Sequence, residues 1–352
     1  MSAHSPIGND SGTSTANWVA WADVARVAAI FGVIVIHACG SILYKFGEAP
    51  FEDWLSVAFL DSIVRCSVPI FVMLSGALLL QPEAEPASLP QIFRRARKVI
   101  VPLLFWNVLY LIYVSRITGA AIQWTSMFRE PPMYHLWFAY MIVGLYFLLP
   151  IFQAIFPVLR RRDDLKFYFF SLWLLVTSLP IYASNPLTVL LQQTSLFGYG
   201  GYFLLGGLLG ASSSRRLPSL IWAAIFTGAV LVTFCLTVAD SKAAGKVVET
   251  AYLYFSLNVF VASVSAFVLL KRVVLNEKWA FRMKWMSDLS FLVFFIHVVV
   301  LERVSNFYYL SALNSLLPTM LGVLIISFAT YVCCLIVASV LRTIPGAKHV
   351  VG

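Results

Sequence analysis

Hydrophobic positions along this chain gather into ten long apolar stretches, near 18–40, 54–80, 98–115, 135–157, 166–183, 194–211, 218–239, 250–270, 285–304 and 315–341. As helix, each stretch is long enough to cross ~30 Å of hydrocarbon, the shortest with little to spare. The pattern predicts an all-α integral membrane protein of about ten transmembrane helices. The polar segments between them are short and show no fixed-period repeat, so one membrane domain is expected over 17–342. A disordered cytoplasmic tail is expected over 1–16 and a short cytoplasmic tail over 343–352. The prolines between the second and third stretches (Pro82, Pro86 and Pro90) read as an ordinary connecting turn.

Composition sharpens this picture. Hydrophobic residues make up 60% of the 352, charged residues 12%, and mean hydropathy is +0.85. Globular chains carry about 25% charged residues, so a water-soluble protein is excluded. The polar N-terminus lacks a basic leader, and no cleaved signal peptide is expected. Cys39, Cys66, Cys235, Cys333 and Cys334 fall in or beside apolar stretches without CxxC spacing, and read as small core residues.

A net charge of +9 raises the question of nucleic acid. Its placement answers it. With a cytoplasmic N-terminus, 17 of the 25 basic residues fall in cytoplasmic segments, including Arg160 to Arg162, Arg215, Arg216, Arg342 and Lys348. Six fall on the other side. That bias is a positive-inside signal placing both termini in the cytoplasm, so the charge sets topology and does not bind nucleic acid.

Several ionisable residues nevertheless lie inside the stretches, where they persist mainly if paired or lining a site. The first stretch carries Asp23, Arg26 and His37. Arg26 and His37 are three helical turns apart on one face, roughly 16 Å from each other. Asp23 is one turn before Arg26 and placed to hold its guanidinium. Asp61 and Arg65 sit at i, i+4 in the second stretch, as a self-neutralising ion pair or as part of a site. His135 opens the fourth stretch at the outer surface, followed by Trp137 and Tyr140, which alone would make an aromatic belt. His297 is at mid-depth in the ninth, with Glu302 five residues further out. Asn107 and Asn258 read as interhelical hydrogen-bonding groups, and Gly206 with Gly210 as a close-packing step. Arg94, Arg95, Arg97 and Lys98 precede the third stretch, either as a topogenic anchor or as a grip for a phosphate-bearing ligand. No hydrolase elbow, Walker loop, HExxH or metal-like cluster is present, so no metal cofactor is expected.

Taken together, these segments resemble membrane acyltransferase family 3, bacterial enzymes that O-acetylate envelope polysaccharides. Arg26 followed by ten residues and His37 is similar to that family's first-helix signature. Arg65 through Val68, Pro69, Phe71, Ser75 and Gly76 resembles a second motif. Arg94 and Arg97 are similar to its paired-arginine element, and His135, Leu136 and Trp137 to the start of one of its spans. Gly201, Tyr202, Phe203 and Gly206 resemble a further motif, as do Ser290 and His297, although Phe294 stands where a tyrosine is common. Order and placement across Trp21 to Leu341 make the resemblance specific. The short form resembles the enterobacterial common antigen O-acetyltransferase.

The resemblance implies acetyl-CoA, or another short acyl-CoA, as cytoplasmic co-substrate, with its phosphates on Arg94, Arg97, Arg95 and Lys98. It implies Arg26, supported by Asp23, along the donor path, and His37 as general base toward an envelope glycan hydroxyl. Arg65 or His135 is the electrostatic candidate for the oxyanion. His135, Trp137, Tyr140, His297 and Glu302 are expected around the substrate. The implied setting is a bacterial inner membrane, with the lipid bilayer and a glycan or glycolipid acceptor as partners and the oligomeric state open. The competing reading is a proton-coupled transporter or flippase using the same polar line.

Overall fold

The computed structural model describes residues 12–81, 86–183, 195–212, 217–311, 316–347 and 350. Pro82, Arg215, Arg216, Lys348 and most of the N-terminal tail lie outside these described residues. Among them the chain is helical, with no strand. In chain order the helices are α1 (Gly12–Leu43), α2 (Phe51–Val64), α3 (Ser67–Leu79), α4 (Leu89–Thr118), α5 (Trp137–Arg161) and α6 (Asp163–Tyr182). Then come α7 (Ser195–Ala211), α8 (Ser219–Ala244), α9 (Leu257–Lys271), α10 (Glu277–Leu310) and α11 (Thr319–Thr343). Counting α2 and α3 as one crossing, nine described segments are long and apolar enough to span. The 17-residue α7 supplies the further crossing expected near 194–211. This is an all-α integral membrane protein.

α1 is the central post, packed against α2, α3, α9, α10 and α11. Its small and branched residues allow this: Ala25, Ala29, Ile30 and Ile34 are buried from the surface on its packed sides. α4, α5 and α6 stand further out, where apolar side chains such as Phe167 and Leu175 stay exposed as a lipid-facing surface. The tightest seam joins α3 to α7. A Cβ on Gly206 would overlap the Met73 carbonyl, and one on Gly76 would overlap that of Phe203. The expected Gly206/Gly210 packing step is therefore realised, with Gly76 as its counterpart across the seam.

Three expectations change. The second stretch is not one helix: it breaks at Arg65–Cys66. Pro69 has no N–H to give to the Arg65 carbonyl, so the ladder cannot run through unbroken. The third helix starts at Leu89, not near 98, because Ser88 and Gln91 form a capping box with Pro90 in the first turn. Arg94 to Lys98 thus lie on a helix rather than ahead of one. Finally, α1 starts at Gly12, so residues 12–16 continue the spanning helix.

Polar contacts sort the helix ends into two faces. At one face Arg272 reaches Ser219 and Arg342 donates to the Asp288 carbonyl; at the other Tyr44 reaches Glu249 and Tyr113 reaches Glu302. Each contact joins ends that alternate crossing assigns to the same side. Burial and the neighbouring Glu249 carboxylate push the Tyr44 phenol up to about 12, so it stays a neutral donor there.

Candidate active site

A cavity of about 1320 Å³ runs through the bundle between α1, α3, α4, α5 and α10. Helical periodicity explains who lines it. On α1 Arg26, Val33 and His37 recur at i, i+7 and i+11; on α4 Arg94, Arg97, Lys98 and Val101 recur at i, i+3, i+4 and i+7. α10 contributes Ser287, Ser290, Phe291 and Phe294 at the same spacing. Arg95, about 100° around α4 from Arg94, is not on the wall and has a buried guanidinium nitrogen without a hydrogen bond.

One end of the cavity is cationic. Arg94, Arg97 and Lys98 are exposed there, joined by Arg342 from α11. Midway, Arg26 donates to Ser287 Oγ at 2.6 Å and lies 3.5 Å from Asp23, so the expected Asp23 support is present. These two contacts aim a guanidinium into the cavity from both of its packed neighbours.

The other end holds a histidine cluster. The rings of His37 and His297 stack with centroids 5.3 Å apart, and His135 stands edge-on to His297 at 5.0 Å. These are all the histidines among the described residues, brought together from α1, the turn Tyr134–Leu136 and α10. His297 is fully buried. Its Nδ1 donates to the Phe294 carbonyl at 2.7 Å, leaving Nε2 without a partner in the core. That backbone bond fixes the ring's tautomer and its angle against His37. His37 keeps partial access to the cavity, with exposed Tyr134 edge-on at 4.9 Å. A neutral imidazole so placed can accept a proton from a hydroxyl entering the cavity and return it to a leaving group.

Of the other expected residues, His135 and Trp137 line the cavity, whereas Tyr140, Glu302 and Arg65 do not. His135 is buried at 2% exposure rather than interfacial, packed against Tyr110 and Phe294. Trp137 lines the cavity and stacks near Tyr254. The Tyr140 hydroxyl accepts from Asn107 at 2.7 Å and donates to the Met127 carbonyl at 2.9 Å, off the wall. Asn258 likewise bonds Thr233 across helices. Glu302 accepts from Tyr113, also off the wall. Arg65 is bound by Asp61, 3.0 Å from Nε, lies 3.6 Å from Glu249, and covers the Tyr252 ring at 4.2 Å. Its guanidinium is taken up by these neighbours and is not among the groups that line the cavity. Sequence reasoning did not single out Ser287 or Tyr134. Ser287 is legible only as a polar residue opening a span, and Tyr134 as one more interfacial aromatic.

Comparison with known proteins decides the family. The acyltransferase domain of the acyltransferase-3 family matches residues 19–339, nearly the whole chain. The chain belongs to that family. This acyltransferase is therefore a multi-pass membrane enzyme, and its cavity is the place to look for chemistry. No curated protein and no solved structure matches it.

Proposed function

We propose that this acyltransferase moves an acetyl or other short acyl group from cytoplasmic acyl-CoA to a hydroxyl of an envelope or surface glycan, in a bacterial inner membrane with both termini cytoplasmic. One observation carries the reading: one cavity links a cationic end on α4 and α11 to His37 of α1 and His135 of the Tyr134–Leu136 turn, with His297 stacked behind them. Phosphates suit the cationic end, because arginine forks bind them through charge-assisted hydrogen bonds. The acyl-pantetheine arm then extends past Arg26 toward His37.

At His37 the acceptor hydroxyl loses its proton to the imidazole while its oxygen attacks the thioester carbonyl. The tetrahedral intermediate collapses with cleavage of the C–S bond, and the imidazolium returns the proton to the departing thiolate. His297, fixed by the Phe294 carbonyl, holds the His37 ring at the angle this transfer needs. The exposed ring of Tyr134 beside His37 supports this reading, because a sugar ring stacks well on an aromatic face.

The test is transfer of label from acetyl-CoA to extracted envelope glycans by membranes containing wild-type or His37→Ala protein. Loss of transfer in a folded variant is expected; normal labelling rejects the general-base role. The break at Arg65–Cys66 favours a second reading, a proton-coupled transporter or flippase, because interrupted helices are typical of transport sites. Proteoliposome uptake of a glycan precursor without acyl transfer would establish it instead.

A further inference from the structure

Arg342 closes the last helix, in a position that on sequence alone reads as a topogenic anchor. In the structure it does something an anchor need not do: it lines the same cavity as Arg94, Arg97 and Lys98, from a different helix. Its Nη2 donates to the Asp288 main-chain carbonyl, which fixes the side chain without cancelling its charge. The Asp288 carboxylate is already engaged by Lys284, at 2.7 and 2.9 Å. Among the described residues no carboxylate pairs with Arg342, nor with the three cations of α4. Arg162, also exposed, is by contrast neutralised by a two-pronged bond to Asp164. A guanidinium held by a carbonyl, lining one cavity together with three cations of another helix, supplies a second source of anion-binding groups.

We infer that Arg342 is a donor-binding residue, gripping a phosphate of the acyl-CoA from α11 while Arg94, Arg97 and Lys98 meet it from α4. The inference rests on the donor reading above. It adds that the grip is formed by two helices, α4 and α11, whose ends lie far apart in sequence. A single cationic stretch on one helix meets a polyphosphate from one side only and leaves it free to pivot. A fork from a second helix fixes its position, and with it the depth the acyl group reaches.

The test uses the full chain in detergent or nanodiscs, titrated with coenzyme A and, separately, with pantetheine, which lacks phosphate. We expect Arg342→Gln to raise the Kd for coenzyme A about tenfold, as the loss of one charge-assisted contact implies. Arg342→Lys recovers part of that loss by keeping charge without the fork, and shows that the fold tolerates the site. The pantetheine Kd moves less than twofold in either variant. An unchanged coenzyme A Kd, or equal weakening of both ligands, overturns the inference. Arg94→Gln/Arg97→Gln separates the two claims. If that variant also leaves coenzyme A binding untouched, the donor reading fails. If it weakens binding while Arg342→Gln does not, only the role of Arg342 fails.

Discussion

Two groups of arginines lie in this bundle and meet opposite fates. Arg65, at the α2–α3 break, is matched by Asp61 and Glu249 and covered by Tyr252. Arg94, Arg97 and Arg342 face a cavity with no carboxylate partner among the described residues. A charge buried among helices, as at Arg65, is costly, whereas the exposed end of the cavity lets the second group keep its charge solvated. The first group resolves the cost internally, so its charge is spent on holding helices together. The second leaves its charge available to a ligand. Intramembrane charge alone therefore does not mark a site; its pairing does.

The comparison can be broken by experiment. The largest effect is expected at His37, where replacement by Ala or Gln removes the proton acceptor. Acyl transfer should fall by about 10²–10⁴-fold, with the thermal unfolding midpoint unchanged. Next is Asp61→Ala, which strands a buried guanidinium and should destabilise the protein by about 3–5 kcal/mol, read as a lower unfolding midpoint. Replacing Asp61 and Arg65 together by neutral isosteres should cost less than Asp61→Ala, because the charge then left without its partner, Glu249, is partly exposed. If the double variant keeps its fold but loses transfer, Arg65 belongs to the chemistry and the contrast collapses.

A third expected effect probes the frame rather than the charges. Gly76→Ala forces a Cβ against the Phe203 carbonyl across the α3–α7 seam, a backbone neighbour that cannot swing away. A loss of about 1–3 kcal/mol is expected in the same unfolding assay. Smaller again, Arg97→Gln should weaken coenzyme A binding about tenfold, as the loss of one charge-assisted contact of about 1.5 kcal/mol implies, with stability unchanged. The smallest is Asp164→Asn, which opens an exposed pair and should leave both unfolding and transfer where they were.

Much of this was legible from spacing. The ten stretches are the crossings, because hydrocarbon admits only backbone that satisfies itself, and helices do so locally. Arg26 and His37 share a cavity wall because eleven residues return a helix to nearly the same azimuth. The same arithmetic separates Arg94, Arg97 and Lys98 from Arg95 once the helix is known to begin at Leu89, and the Ser88–Gln91 cap that starts it is a sequence signal. The break after Arg65 was also readable from Pro69, but a long apolar run masks a proline when hydropathy is the guide.

What the chain determined by itself is what depends on neighbours within a few turns: the helices, their order through the bilayer, the Asp23–Arg26 and Asp61–Arg65 pairs, and the faces on which lone histidines lie. Only the tertiary structure decided which of those faces meet. Stacking His297 on His37, burying His135 beside them, turning Tyr140 and Glu302 to structural partners, and bringing Arg342 to the cavity that the α4 cations line all join residues far apart in sequence. Side-chain spacing along one helix fixes an azimuth but carries no information about which helix will pack there. That choice comes from close packing between helices, such as the glycine seam of α3 and α7, which operates across the whole fold.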